Sequence, residues 1–514
     1  MPDRPALDAR LVRARDFAAT VPLSLPDPPL LALPERAAQF GTGALLRGLV
    51  DYVVDAANRE GKFNGRVVVI GSTGSGRDDL INAQDGLYTL LVEGLENGKP
   101  VREYRVIAAV SRALSATAEW DAVLAVARNP EIEIIFSNTT EIGIVFDDGD
   151  LPDLDPPRSF PGKLTRFLHE RARAFDCDSA RGVTVLPCEL IEQNGAKLRE
   201  IVLLLAEKWG LGGKFVEWIE ESVSFCDTLV DRIVSGAPRA HRSSEVELSL
   251  GYSDELVTVC EPYRLFAIAA DIRTRSRLAS LVTGDSVIIT DDVSPYRERK
   301  VRILNGAHTA MVSLALLCGC ETVMDAATDR DVGRFVRQLV LDEILPTVDL
   351  PGAGQFAREV LERFCNPFIA HSLMDITLHG TMKFRLRVVP SLISYARDRG
   401  HPPAALTLGF AALLVFLRGD IQAQRTRDGL PIPPDAAAAR IRAQWERFGK
   451  GDDAFGELAR AVCSDATVWG ADLTGIAGFP DLVAEQLSAI VRNGSRSALV
   501  SHLAGGVAAH GVVS

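Results

Sequence analysis

The hydrophobic rhythm of the chain changes near residue 290. Before that point, short runs rich in β-branched residues alternate with amphipathic stretches. Residues 37–40, 66–70, 104–109, 133–137 and 183–187 read as strands, bounded by glycine, proline and small polar residues. A helical pattern follows the first of them, from about residue 45 to 58. Alternation of this kind predicts a Rossmann-like, doubly wound parallel sheet. After residue 290 the strand signals almost vanish, and residues 301–317, 329–344, 356–364, 390–397 and 405–417 follow the helical period. The expected organisation is α/β plus all-α. A proline-rich extension (1–30) lies over the surface, a nucleotide-binding domain covers 31–290, and an all-helical domain covers 291–514. Residues 426–441 read as an exposed loop entering another helix.

Length supports this partition, because 514 residues exceed what one compact core accommodates. The apolar fraction of 47% and charged fraction of 24% are those of an ordinary globular protein. With 56 basic and 68 acidic residues the formal net charge is −12, which argues against a nucleic-acid surface as the main business. The eight cysteines have neither CxxC pairing nor metal-ligand spacing, so reduced thiols, a cytoplasmic setting and no catalytic metal are expected. The apolar run 404–417 is too short to span a bilayer.

Two glycines, Gly41 and Gly43, follow the first strand and open the first helix. That context suits a dinucleotide turn: the first glycine permits the tight bend and the second lets a pyrophosphate approach the backbone. The third glycine of the usual fingerprint is missing, since position 46 is Leu46. The acidic residue expected after the second strand is missing too. Ser72 stands nearby, and its hydroxyl can bond a ribose without repelling a 2′-phosphate. NAD is the expected cofactor, and NADP meets no obvious barrier.

A second segment carries candidate chemistry. Lys300, Asn305 and His308 follow a Lys-x4-Asn-x2-His pattern. At about 100° per residue, Asn305 lies roughly 140° and His308 roughly 80° from Lys300, so an α-helix puts all three on one side. Leu304 and Met311 would wall that side. An amine, an amide and an imidazole together are what carbonyl–alcohol interconversion needs. The same spacing also fits a surface lysine, a capping asparagine and a core histidine.

A wider set of motifs decides between these. Gln39-Phe40-Gly41-Thr42-Gly43 with Arg47, QDGLY at 84–88, SNTTE at 137–141, FPGKLT at 160–165, LPCELIEQNG at 186–195, FCDTLVDRIV at 225–234, and the stretch from Pro295 to His308 occur in this order. Together they make the chain resemble the mannitol dehydrogenase family, the polyol-specific long-chain dehydrogenases, over roughly residues 35–420. The likeness is strongest to the branch that acts on sugar acids. It implies hydride exchange with NAD and no catalytic metal. It also implies cofactor contacts from Phe40, Gly41, Gly43, Leu45, Arg47, Ser72, Ser137, Asn138 and Thr140. Lys300 matches the family's catalytic lysine, Asn305 its oxyanion-stabilising amide and His308 its substrate-orienting histidine. Mannitol-type enzymes carry Asp-Asn where this chain has Glu189-Leu190, so Asn194 is the candidate for a second catalytic amide.

Departures from the family pattern bear on substrate. Arg297 replaces a glutamate of the mannitol type, and Leu45 replaces an aromatic. Lys383 and Arg385, in HGTMKFRLR, supply a basic pair that suits a carboxylate better than a neutral polyol, while Arg387 reads as a solvated helix residue. A ketouronate or its sugar acid is therefore the expected small-molecule partner, with no nucleic acid and no membrane. A neutral polyol dehydrogenase and a non-catalytic nucleotide-binding sensor are the competing readings. A sensor has no need of a proton donor at position 300.

Overall fold

The computed structural model describes residues 4–72, 76–139, 143–238, 240–369, 371–419, 435, 437–448 and 454–509. Most of the loop expected at 426–441 lies outside them. The chain divides into two compact units: residues 1–94 with 99–293, and residues 95–98 with 294–514.

In the first unit a six-stranded sheet carries the architecture. Counted within this sheet, its strands are β1 (Glu35–Phe40), β2 (Arg66–Gly71), β3 (Val110–Ser115), β4 (Ile134–Ser137), β5 (Thr184–Pro187) and β6 (Ser224–Phe225). They lie in the order 3-2-1-4-5-6, and every pairing is parallel. Alternation along each strand sends side chains to both faces. Val67 and Val69 of β2 join one buried cluster, with Leu46, Val50 and Val53; Val68 and Ile70 join the opposite one, with Phe160, Leu164 and Phe167. Burial on both faces explains the β-branched runs that made these strands legible.

The strand expected at 104–109 lies in one of two further sheets rather than in the doubly wound one. Strands Tyr88–Glu96 and Lys99–Ile107 belong to a five-stranded mixed sheet, and Asn97 and Gly98 between them both have positive φ. Asn-Gly is a strong hairpin signal, so this element was readable from sequence. A three-stranded sheet joins Thr228–Asp231, Leu265–Ala269 and Val287–Thr290. The N-terminal stretch is also more than a surface extension. Leu7 and Val12 are buried in a core cluster, and Leu23–Ser24 pairs with Tyr104 and Arg105.

The helix after β1 begins with a π turn, Leu46–Val50, and continues as Asp51–Arg59. Beneath this junction lies a buried polar group. The Tyr88 hydroxyl is 2.8 Å from the Arg47 carbonyl oxygen and 3.1 Å from the Asp51 carboxylate, and Asp51 is fully buried. Burial pushes the Asp51 carboxyl up to about 7, against the hydrogen bond from Tyr88 and the charge of Arg47.

Residues 294–514 of the second unit are helical, and the described ones pair as strands only through an isolated bridge between Thr322 and Ser372. Helix Ala404–Arg418, buried along nearly its whole length, packs against Gly306–Leu317 and Phe479–Asn493. Its N-terminal amides of Ala405 and Leu406 each donate to Glu343 at 2.7 Å. Burial raises that carboxyl to about 7 despite those two bonds. No described helix is long and apolar enough to cross a membrane.

A carboxyl whose folded pKa is raised adds stability below its unfolded pKa. That contribution is lost as pH rises through the folded value. Asp51 and Glu343 share this sign, so the unfolding midpoint of the ligand-free protein should fall between about pH 5 and pH 8. Asp51→Asn cannot ionise and should make that fall shallower. Identical pH slopes for variant and wild type, in thermal unfolding monitored by circular dichroism, would contradict the raised carboxyl.

Candidate active site

The strand order of the six-stranded sheet reverses between β1 and β4. Ligands of such sheets bind beyond the carboxyl ends of the strands at this reversal. Gly41 sits there with φ +126°, and its N–H donates to the Ile70 carbonyl at 3.0 Å. A Cβ at position 41 would come within 2.8 Å of the Asn138 carbonyl oxygen, so both the dihedral and the close approach demand glycine. A Cβ at Gly43 would meet nothing within 4 Å, which leaves open backbone at the start of the helical run. This cradle fits a pyrophosphate group.

Several residues expected at the cofactor turn inward instead. The Phe40 ring is fully buried against Phe160 and Phe167, at centroid distances of 5.4 and 5.8 Å, so only its backbone reaches the crest. Arg47 is also buried; it donates to the Thr42 carbonyl at 2.5 Å and to Thr258 at 3.0 Å, bracing the turn from behind. Ser137 is fully buried and donates to Glu189 at 3.1 Å. Leu45 packs at the edge of the core. Asn138 stays half-buried on the crest and donates to the Cys188 carbonyl at 2.7 Å. The Ser72 hydroxyl has no hydrogen-bond partner among the described residues. Thr140 lies outside them.

Glu189 is the organising residue that sequence reasoning passed over. One of its carboxylate oxygens accepts from the Thr139 N–H at 3.0 Å and the Thr139 hydroxyl at 3.1 Å, and the other accepts from Ser137. Burial raises its pKa, opposed by these bonds. Glu189 therefore fixes the loop after β4, which carries Asn138.

Asn194 receives a different role from the one expected. It is fully buried, and its amide nitrogen lies 2.8 Å from the Pro187 carbonyl oxygen and 3.0 Å from that of Glu189. Its amide oxygen accepts from the N–H groups of Gly195 and Thr228, each at 2.9 Å. Both amide hydrogens and the oxygen are thus committed to backbone and Thr228. As a correction, Asn194 ties the end of β5 to residue 228 and has no hydrogen left for a substrate oxygen.

In the second unit, Lys300–Asn305 forms a π turn inside an otherwise α-helical run from Ser294 to Leu317. A π turn pairs residues five apart, as the Gly306 N–H to Val301 carbonyl bond shows. Asn305 therefore lies nearer the Lys300 side of the helix than the roughly 140° that an α-helix implies. Lys300 and Asn305 are half-buried and His308 is buried, while Leu304 and Met311 are buried beside them. Arg302 anchors the turn: it is buried and donates to Ser391 at 2.8 Å, Thr347 at 3.0 Å and Glu298 at 3.2 Å. Arg299 lies over the Phe356 ring at 4.8 Å. Arg297 is half-buried one turn before Lys300.

Helix Gly380–Arg387 passes close to this turn. A Cβ on Gly306 would lie 3.0 Å from the Arg387 carbonyl oxygen, so glycine is what lets the two segments touch. The basic residues divide differently from expectation. Arg385 is exposed, reaches the Thr467 carbonyl at 3.4 Å and packs against Gly470, away from residues 305–309. Arg387, read from sequence as solvated, instead lies 3.5 Å from the Thr309 hydroxyl, which donates to the Asn305 carbonyl at 2.8 Å. Lys383 shares the Arg387 side of the helix, four residues earlier, and donates to the Ile376 carbonyl at 3.1 Å.

The His308 ring stacks on Phe364 (centroids 4.4 Å apart, 28° between planes) and meets His371 edge-on at 5.0 Å and 80°. His371 escaped the sequence reading, because its only signal is a histidine in a loop. Burial and the charge of Lys383 hold its pKa below the usual histidine value, against Asp375. The ring is therefore neutral at physiological pH.

Comparison with known proteins agrees with this layout. Residues 35–279 match the family description "Mannitol dehydrogenase Rossmann domain" and residues 292–491 match "Mannitol dehydrogenase C-terminal domain". An altronate oxidoreductase of Yersinia pestis is 41% identical over 473 residues, covering 91% of this chain and 97% of its own length. That of Bacillus subtilis is 41% identical over 466 residues, covering 91% and 95%. Among solved structures, Pseudomonas fluorescens mannitol 2-dehydrogenase, in complex with NAD and D-mannitol, aligns with a TM-score of 0.69 at 24% identity, over 97% of this chain and 99% of its own. A D-sorbitol dehydrogenase aligns with a TM-score of 0.78 at 22% identity, over 96% and 100%. These two likenesses concern the fold.

The reassignment of Asn194 is open to direct measurement. Asn194→Ala strands several buried backbone groups and should cost about 3 kcal/mol, read as a lower unfolding midpoint. An unchanged midpoint with lost activity would restore the catalytic role.

Proposed function

The chain belongs to the mannitol dehydrogenase family, and on that footing we propose that it is an NAD-dependent oxidoreductase that interconverts a ketouronate and its sugar acid, with tagaturonate and altronate as the pair. The observation that carries this reading is the π turn that holds Lys300 and Asn305 in one widened turn, with His308 on the following turn and two cations, Lys383 and Arg387, on the neighbouring helix. The shared name of the relatives supports the choice of substrate. The open glycine backbone at Gly41 and Gly43 supports a dinucleotide.

NADH, when bound, supplies the hydride for reduction of a ketone. As charge gathers on the carbonyl oxygen, Asn305 donates a hydrogen bond to it from its amide. Lys300, as the ammonium, donates the proton that completes the alcohol. In the reverse direction the neutral amine of Lys300 accepts that proton. His308, held between Phe364 and His371, orients a substrate hydroxyl beside the lysine. A ketouronate carries its carboxylate at the end of the chain remote from the ketone. Lys383 and Arg387 receive it, because a planar guanidinium and an ammonium on one helix side match a carboxylate. Arg385 faces elsewhere and takes no part. Arg297 remains a candidate for substrate contact through its place one turn before Lys300.

A panel of tagaturonate, fructuronate, fructose and mannitol, followed by NADH oxidation or NAD reduction, tests the proposal. Turnover should be greatest with tagaturonate; turnover confined to the neutral sugars, or NADH binding with no turnover, would overturn it. Lys300→Ala should lose turnover about a thousand-fold with NADH binding intact. Arg387→Ala should raise KM for the ketouronate about ten-fold, whereas Arg385→Ala should leave it unchanged. The opposite ranking of the two arginines would reject the assignment of the carboxylate to Arg387.

A further inference from the structure

Resting on the ketouronate reading above, we propose that His371 is the specificity-determining residue that reads a mid-chain hydroxyl of the sugar acid and so selects tagaturonate over its C4 epimer, fructuronate.

The argument begins with placement. His308 marks the end of the site where the carbonyl is reduced, beside Lys300 and Asn305. Lys383 marks the end where the carboxylate is received. His371 touches the first, edge-on at 5.0 Å, and is close enough to the second for the charge of Lys383 to act on it. A six-carbon acid whose ketone lies at one end and whose carboxylate lies at the other passes this imidazole with its secondary hydroxyls.

The backbone holds His371 firmly enough for such a task. Its carbonyl accepts from the Val323 N–H at 2.9 Å, and the Leu373 N–H donates to the Glu321 carbonyl at 2.9 Å. These two bonds flank the bridge between Thr322 and Ser372. A residue whose carbonyl and following residues are tied to a neighbouring segment has a more fixed Cα–Cβ direction than a loop tip.

The ring also has the right valence. The side chain is half-buried rather than sealed. Kept neutral by burial and by Lys383, it offers one donor and one acceptor. A hydroxyl both donates and accepts, so it matches this pair, and inverting one carbon removes the match. A site built to hydrogen-bond a hydroxyl discriminates strongly against a substrate that cannot present it there.

The test uses the full-length enzyme with NADH and the two epimeric ketouronates. His371→Phe keeps a ring against His308 and removes both hydrogen-bonding atoms. It should lower kcat/KM for tagaturonate about ten-fold or more, mainly through KM, while changing that for fructuronate little, so that the preference collapses. His371→Asn, which retains a donor and an acceptor, should recover part of the preference. If the Phe variant does not fold, judged by its unfolding midpoint and NADH binding, His371→Leu gives the same reading. Equal losses on both epimers, or an unchanged ratio, would show that His371 only packs against His308 and would overturn the inference alone. A wild-type enzyme that reduces neither ketouronate would overturn the substrate reading, and this inference with it.

Discussion

One widened helical turn shapes the segment of the second unit that carries Lys300 and Asn305. In a regular α-helix the amide of Asn305 and the amine of Lys300 would diverge by more than a third of a turn. The π turn at Lys300–Asn305 narrows that angle, at the cost of poorer backbone pairing. The surroundings make it stable. Arg302, buried inside it, spends its guanidinium on Ser391, Thr347 and Glu298. Gly306, immediately after it, admits the backbone of Arg387. The close contact that this glycine permits also brings the Arg387 guanidinium within 3.5 Å of the Thr309 hydroxyl.

The first unit solves a different problem with the same economy. A dinucleotide turn must present bare backbone in one fixed shape, so polar side chains are placed behind it rather than on it. Arg47 holds the Thr42 carbonyl, Tyr88 bridges Arg47 and Asp51, and Glu189 gathers the amide and hydroxyl of Thr139 with the hydroxyl of Ser137. Burying these groups is costly unless each is bonded, and nearly all of them are. Motif residues that look like ligand contacts in a linear sequence are here the supports of the surface that makes contact. Asn194 belongs to this class. An asparagine that bonds four backbone groups at once is a structural knot, whatever its place in a family motif.

Much of this was legible in the sequence, for physical reasons. Parallel strands buried on both faces must be apolar and β-branched, so β1, β2, β4 and β5 announced themselves. Gly41 had to be glycine, because its dihedral and its nearness to Asn138 exclude any Cβ. Lys300, Asn305 and His308 were singled out by spacing and by the ordered motifs around them. The hairpin through Asn97 and Gly98 was equally readable and was missed. Other errors came from direction. Arg385 and Arg387 differ by two positions on a helix, which is more than half a turn, and no feature of HGTMKFRLR states which side faces residues 305–309.

The sequence alone determined the identity of each chemical group and the period of each element, because strand alternation, helical spacing and glycine's lack of a Cβ act locally along the chain. Tertiary structure decided which of those groups are spent on folding and which remain for chemistry. Arg47, Ser137 and Asn194 are consumed by partners that lie up to about two hundred residues away in sequence. His371 acquires its place beside His308 from a bridge to residue 322 that no local pattern encodes. Whether a polar side chain can serve a ligand depends on which partners the fold has already given it, and that accounting closes only in three dimensions.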